Sequence, residues 1–141
     1  MKKKIIIFSL LYQFLFSILS LLLIMIKEKF GSELFAYALY FNILYFVIGL
    51  LACFVIIKFL LRIKNIKIIH LYIYFFLLSI LAINIYVYFI SQKVLILDIF
   101  DIKNDEWYIS LSYHLSILLS VTTMYFLTKK KIYLFLGNIK Y

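Results

Sequence analysis

Apolar residues run almost unbroken from Ile5 to Ile26, Ala36 to Ile57, Ile68 to Ile90 and Trp107 to Thr128, and no acidic or basic residue falls inside any of the four runs. Each run is about the 20 residues that an α-helix needs to cross a ~30 Å hydrocarbon layer. The pattern predicts an all-α integral membrane protein with four transmembrane helices, over residues 5–26, 36–57, 68–90 and 107–128, forming a single polytopic domain. The connections "KEKFGSEL" and "RIKNIK" are short, which makes consecutive spans antiparallel neighbours and the whole an antiparallel bundle. Gly31 and Ser32 supply a turn and an N-cap before the second span, and Asn104, Asp105 and Glu106 supply caps before the fourth. The third connection is longer. In "VLILDIFDIKNDE", Asp98, Asp101 and Asp105 fall at i, i+3 and i+7, one face of a short helix expected to lie on the surface between the third and fourth spans. The tail "KKKIYLFLGNIKY" is expected to return to the interface before a Gly137-Asn138 turn.

Polar residues inside the runs are spaced for packing. Lipid gives helices no hydrophobic reason to associate, so small and hydrogen-bonding side chains mark where they touch. Ser9, Gln13 and Ser17 follow one another at i, i+4, i+8 in the first span, and Ser112, Ser116 and Ser120 do the same in the fourth, with Thr123 continuing the stripe. The second span offers Ala38, Asn42, Gly49 and Cys53; the third offers Ser79, Ala82 and Asn84. These stripes predict inward seams, with the first span closing against the fourth. His114 stands apart, being about 160° around the helix from Ser116 at ~100° per residue. Its candidate partners are Ser110, Ser116, Ser79 and Asn84; turned away from the serine ladder, it has to use a second face of the fourth helix, face a neighbouring subunit or ligand, or reach the outer interface.

Composition agrees with the pattern. Of 141 residues, 67% are hydrophobic and 15% charged, with a mean hydropathy of +1.12, well beyond the roughly half-apolar make-up of soluble domains. Proline is absent and glycine occurs three times, so long unbroken helices are expected. The single cysteine, Cys53, excludes an intramolecular disulfide and any multi-cysteine metal site, and reads as a small apolar packing residue. The abundance of Ile, Lys, Asn, Tyr and Phe suggests an A/T-rich genome.

Charge sets an orientation. Eleven basic residues (Lys2, Lys3, Lys4, Lys58, Arg62, Lys64, Lys67, Lys129, Lys130, Lys131 and Lys140) fall on the side of the two ends and the middle loop. The other side has four, Lys27, Lys29, Lys93 and Lys103, together with all six acidic residues. The positive-inside rule then gives N-in, C-in topology with both termini cytoplasmic. The run after "MKKK" is longer than a signal-peptide core and lacks a small-x-small cleavage site, so it reads as a retained anchor. The net charge of +9 therefore belongs to loop ends that meet anionic headgroups, and nucleic acid is not an expected partner. Tyr37, Tyr40, Tyr86, Tyr88, Trp107 and Tyr108 are placed as aromatic anchors near the outer interface, with Tyr72, Tyr74 and Tyr125 near the inner one.

No catalytic constellation is legible: there is no GxSxG elbow, HExxH or paired carboxylate, and no carboxylate lies within a span. His70 and His114 lie about 3 Å and about 10 Å from opposite faces of a ~30 Å layer. They are too far apart to share a haem or metal. No cofactor is expected, and the acidic face of Asp98 and Asp101 reads as solvated. In size, N-in/C-in four-helix topology and lack of a soluble domain, the chain resembles the immunity proteins that protect bacteria from pore-forming bacteriocins by engaging the toxin's helices in the inner membrane. That resemblance rests on architecture and implies a non-enzymatic protein of the bacterial cytoplasmic membrane, with the bilayer and a membrane-inserted toxin or other membrane protein as partners. Asp98, Asp101 and His114 are then the candidate recognition residues. Two alternatives stay open: a flippase-like translocase or accessory for a lipid-linked sugar, whose small four-helix representatives usually carry intramembrane glycines and charges missing here, and a structural subunit of a membrane complex.

Overall fold

A computed structural model of the chain describes residues 2–28, 32–63, 67–101 and 107–128, and every regular element among them is a helix: α1 Lys2–Met25, α2 Glu33–Leu60, α3 Ile68–Ser91, α4 Leu95–Asp98 and α5 Trp107–Thr128. α1, α2, α3 and α5 are each long and apolar enough to cross a membrane. The helices overrun the apolar stretches at several ends, because backbone bonding continues into the charged flanks. Lys3 and Lys4 are helical and exposed, and α2 runs from Glu33 past Lys58. Glu33 in the first turn and Lys58 in the last complement the helix dipole.

The ends have identifiable causes. Ser32 caps α2, its Oγ accepting from the Phe35 N–H at 3.1 Å and donating to Glu28 Oε2 at 3.1 Å. α3 stops at Gln92, which adopts the left-handed conformation (φ 57°) while its N–H closes on the Tyr88 carbonyl at 2.9 Å. The surface helix is shorter than the aspartate spacing predicts. α4 is a single turn ending at Asp98, and Asp101 lies beyond it, its N–H reaching the Asp98 carbonyl at 3.3 Å. An extended acidic helical face is therefore not formed by Asp98 and Asp101: Val94 caps without a side-chain bond, and the apolar Leu95 is the residue that turns into the core. Asp105, the proposed caps around Asn104, Gly31 and the tail lie outside the described residues.

α1 packs most extensively on α5 and α2; α3 completes the assembly by packing on α2 and α5, and α4 rests on α3 and α5. One core runs through all of them. Towards the α4 end it is built from Phe16, Phe41, Tyr45, Tyr86 and Tyr113, and towards the other end from Phe8, Tyr12, Tyr72, Phe75 and Tyr125. Tyr72, Tyr86 and Tyr108 are thus buried among the helices, whereas Tyr37, Tyr40, Tyr74 and Tyr88 are exposed. The outward surface is apolar: along α2, Ile43, Val47, Leu51 and Val55 are all about three-fifths exposed. A helix this apolar on both faces has the composition of one able to cross a membrane.

Candidate functional site

The interior holds the polar residues. Gln13 is fully buried at the contact of α1 with α2 and lies over Gly49, where a Cβ would come within 2.7 Å of Oε1 and 2.8 Å of Nε2. Glycine at 49 is what gives the amide room against α2. Gln13 Nε2 donates to the Tyr45 carbonyl at 3.5 Å, a long bond, and Oε1 has no hydrogen-bond partner among the described residues. One turn towards the N-terminus, Ser9 is buried against Cys53. Towards the other end, Ser20 rather than Ser17 makes the interhelical bond, donating to Asn42 Oδ1 at 2.8 Å and sharing that proton with the Ser17 carbonyl at 3.0 Å. Asn42 Nδ2 in turn donates to its own Ala38 carbonyl at 2.9 Å and to the Tyr113 hydroxyl at 3.4 Å. Asn42 therefore ties α1, α2 and α5 together.

On α5, Ser112, Ser116 and Ser120 all point inward, the last two fully buried. Ser116 Oγ donates back to the Ser112 carbonyl at 2.6 Å, which satisfies the hydroxyl within its own helix and leaves a smooth, small surface. Ser120 Oγ, Ser17 Oγ and Ser79 Oγ are buried and have no hydrogen-bond partner by distance among the described residues, Ser79 lying beside Tyr12. Near the end of α5, Thr128 Oγ1 donates to the Met124 carbonyl at 2.6 Å and so accepts from the Tyr72 hydroxyl of α3. His70 is exposed at the start of α3.

His114 finds its partner on α3. Its Nδ1 lies 2.7 Å from the Ser110 carbonyl and its Nε2 lies 3.2 Å from Asn84 Nδ2. A carbonyl only accepts, so the proton sits on Nδ1, and Nε2 is the acceptor for the Asn84 amide. Asn84 Nδ2 also donates to the Ile80 carbonyl at 2.9 Å, and Asn84 Oδ1 accepts from the Ile96 N–H at 2.8 Å. Ile96 is in the first turn of α4, where a backbone N–H has no partner of its own helix. Asn84 thus caps α4 from another helix, and His114, Asn84 and Ile96 form one chain of contacts across α5, α3 and α4.

A second clasp joins α1, α2 and α5 at the same end. The Tyr108 hydroxyl donates to Glu28 Oε1, Glu28 Oε2 accepts from Ser32, and Lys27 Nζ stands 4.2 Å from the Tyr108 ring centroid and 5.6 Å from that of Trp107. Asp98 is half-buried and Asp101 exposed, beside the exposed apolar residues Leu97 and Phe100. Among the described residues, no three His, Cys, Asp or Glu side chains gather in a geometry that holds a metal.

The open space is lateral. A cavity of about 490 Å³ near α4 is lined by Tyr37, Ala38, Phe41, Tyr86, Leu95 and Tyr113, and a second of about 680 Å³ by Ile48, Ala52, Ala82, Ile85 and Phe89. Both share Leu44, Tyr86 and Ile90, so together they make one shallow apolar groove along the α2–α3 seam. The sequence stripes mark the buried polar residues but miss the partners supplied by Ser20, Tyr113, Thr128 and Glu28. Ser20 alone carried a signal, as another small residue two turns beyond Gln13. No family model, curated protein or solved structure matches the chain.

Proposed function

We propose that this chain is a non-enzymatic membrane protein, an antiparallel four-helix bundle that acts by recognising other transmembrane helices, and that it serves as an immunity protein against a pore-forming bacteriocin in a bacterial cytoplasmic membrane. The observation that carries this reading is the distribution of polar groups. Asn42, Asn84, Ser20, Ser116, Thr128 and His114 are occupied by hydrogen bonds within and between helices, while the outward surface and the α2–α3 groove are apolar. What such a protein offers a partner is the shape of its lateral surface, against which a membrane helix packs by van der Waals contact. The charge bias favours both termini in the cytoplasm and α4 with Asp98 and Asp101 outside, where an arriving toxin first meets it.

The test is protection. Cells sensitive to pore-forming bacteriocins, expressing this chain, survive one such toxin and remain sensitive to unrelated ones, and replacing Asp98 and Asp101 by Lys shifts that specificity. Absence of protection against a toxin encoded beside the chain's own gene contradicts the reading, and a sugar-transferase neighbourhood points to translocation instead.

A further inference from the structure

The His114 contacts admit only one protonation state. Asn84 cannot turn its amide over, because its Nδ2 must donate to the Ile80 carbonyl and its Oδ1 must accept from the Ile96 N–H. His114 Nδ1 is likewise committed as a donor to the Ser110 carbonyl. Nε2 is left as an acceptor, so the ring is neutral. A second proton on Nε2 would set N–H against N–H at the 3.2 Å contact with Asn84. The Asn84 amide would then have to swing away, and the bond it loses with that movement is the one that holds α4.

The surroundings do not rescue the charged ring. The titratable groups on elements packed against α5 are His70, Tyr72, Tyr74, Tyr86 and Tyr88 on α3, Asp98 on α4 with Lys93 and Asp101 flanking it, and Lys3, Lys4 and Tyr12 on α1 with Lys27 and Glu28 beyond its end. On α5 itself they are Tyr108, Tyr113 and Tyr125. Lys27 and Glu28 are engaged with Trp107, Tyr108 and Ser32. No carboxylate among the described residues acts on the imidazole, whose polar contacts are Ser110 and Asn84.

We propose that His114 is a proton-operated latch: neutral, it locks Asn84 onto the first turn of α4, and protonated, it frees the segment that carries the exposed Leu97 and Phe100. α4 suits such a role. It is one turn long, is joined to α3 through the left-handed Gln92, and has only Leu95 turned into the core. The latch depends on the hydrogen-bond geometry alone and holds whatever the chain's partner is.

The full chain, with Cys53→Ala and a nitroxide label at Leu97→Cys, is reconstituted in phosphatidylcholine vesicles and its label mobility is read at about pH 8 and at about pH 5, the window in which histidine charges. The mobile fraction is expected to rise about fivefold on acidification, the scale of one hydrogen bond. His114→Gln, which has no proton to gain, shows equal mobility at both values, and Asn84→Ala is mobile at both. Circular dichroism at the two values shows unchanged helix content, which separates release of α4 from general unfolding. An unchanged label in the parent chain, a pH response that survives in His114→Gln, or loss of helix on acidification overturns the latch.

Discussion

Asn42 and Asn84 perform the same task in different parts of the molecule. Each has both its oxygen and its amide nitrogen engaged, and each joins three helices. In hydrocarbon an unpaired amide has no water to fall back on, although interhelical bonds measured in membranes are individually modest. Asn84→Ala is expected to lower stability by about 2 kcal/mol, and His114→Ala by about 1 kcal/mol, since the first removes bonds to two partners beyond α3 and the second only one. Reversible unfolding in mixed micelles measures both, and equal losses would contradict this ranking. Gly49 and Gln13 make a sharper pair. Gly49→Ala brings a methyl into the Gln13 amide, so it is expected to destabilise the parent chain and to be neutral or favourable in a Gln13→Ala background, with a coupling of about 1 kcal/mol. Strict additivity would show that the close approach carries no energy. The sequence marked Gln13, Asn42 and Asn84 as inward-facing because a hydrogen-bonding side chain in a span must find protein, and Gly49 because small residues let helices approach. It did not reveal that Gln13 lies on Gly49 or that Asn84 reaches the backbone of α4, because those contacts depend on how the helices are staggered.

At the level of elements, the four long helices were legible in length and hydropathy, as were the bounds of α5 and the start of α3, whereas the extensions of α1 and α2 were not. α1 and α2 continue through Lys3, Lys4, Glu33 and Lys58 because charged side chains do not break a helix, although they do end an apolar run. The Ser32 cap was legible from residue type and position. The way α3 closes was not, since Gln92 is an unusual choice for a left-handed residue and carries no turn signature. Gln92→Gly removes the steric penalty and is expected to raise stability by up to about 1 kcal/mol, less the entropy that glycine adds to the unfolded chain, whereas Gln92→Val lowers it. Thermal unfolding midpoints in detergent should fall in the order Gly, Gln, Val; a Val variant as stable as the parent would mean that the left-handed turn is not retained. α4 illustrates the limit of periodicity. The i, i+3 spacing of Asp98 and Asp101 fits a helix, yet among the described residues only the single turn Leu95–Asp98 forms, with Leu95 in the core and Asn84 bonded at Ile96.

The whole molecule holds its small and polar groups inside an aromatic and aliphatic core and turns apolar groups outward as well, where a water-soluble domain would present polar ones. Its stagger can be read from a few contacts. Phe16 stacks on Tyr113, and Lys27 reaches Trp107 and Tyr108, so positions descend along α5 as they ascend along α1. Gln13 and Ser116 lie one turn from Phe16 and Tyr113 respectively, in opposite chain directions, which sets them at the same height in the interior. The account stands on this arrangement, because the functional reading follows from polar residues being held inside between α1 and its neighbours. The most direct test is disulfide trapping in membranes, with Gln13→Cys and Ser116→Cys in a Cys53→Ala background. Efficient oxidation to an intramolecular crosslink, with none for Phe14→Cys paired with Leu119→Cys, which are both exposed, is the predicted result. Failure to crosslink at 13 and 116 and at the registers one turn either side, or crosslinking as readily between the outward positions, would contradict it.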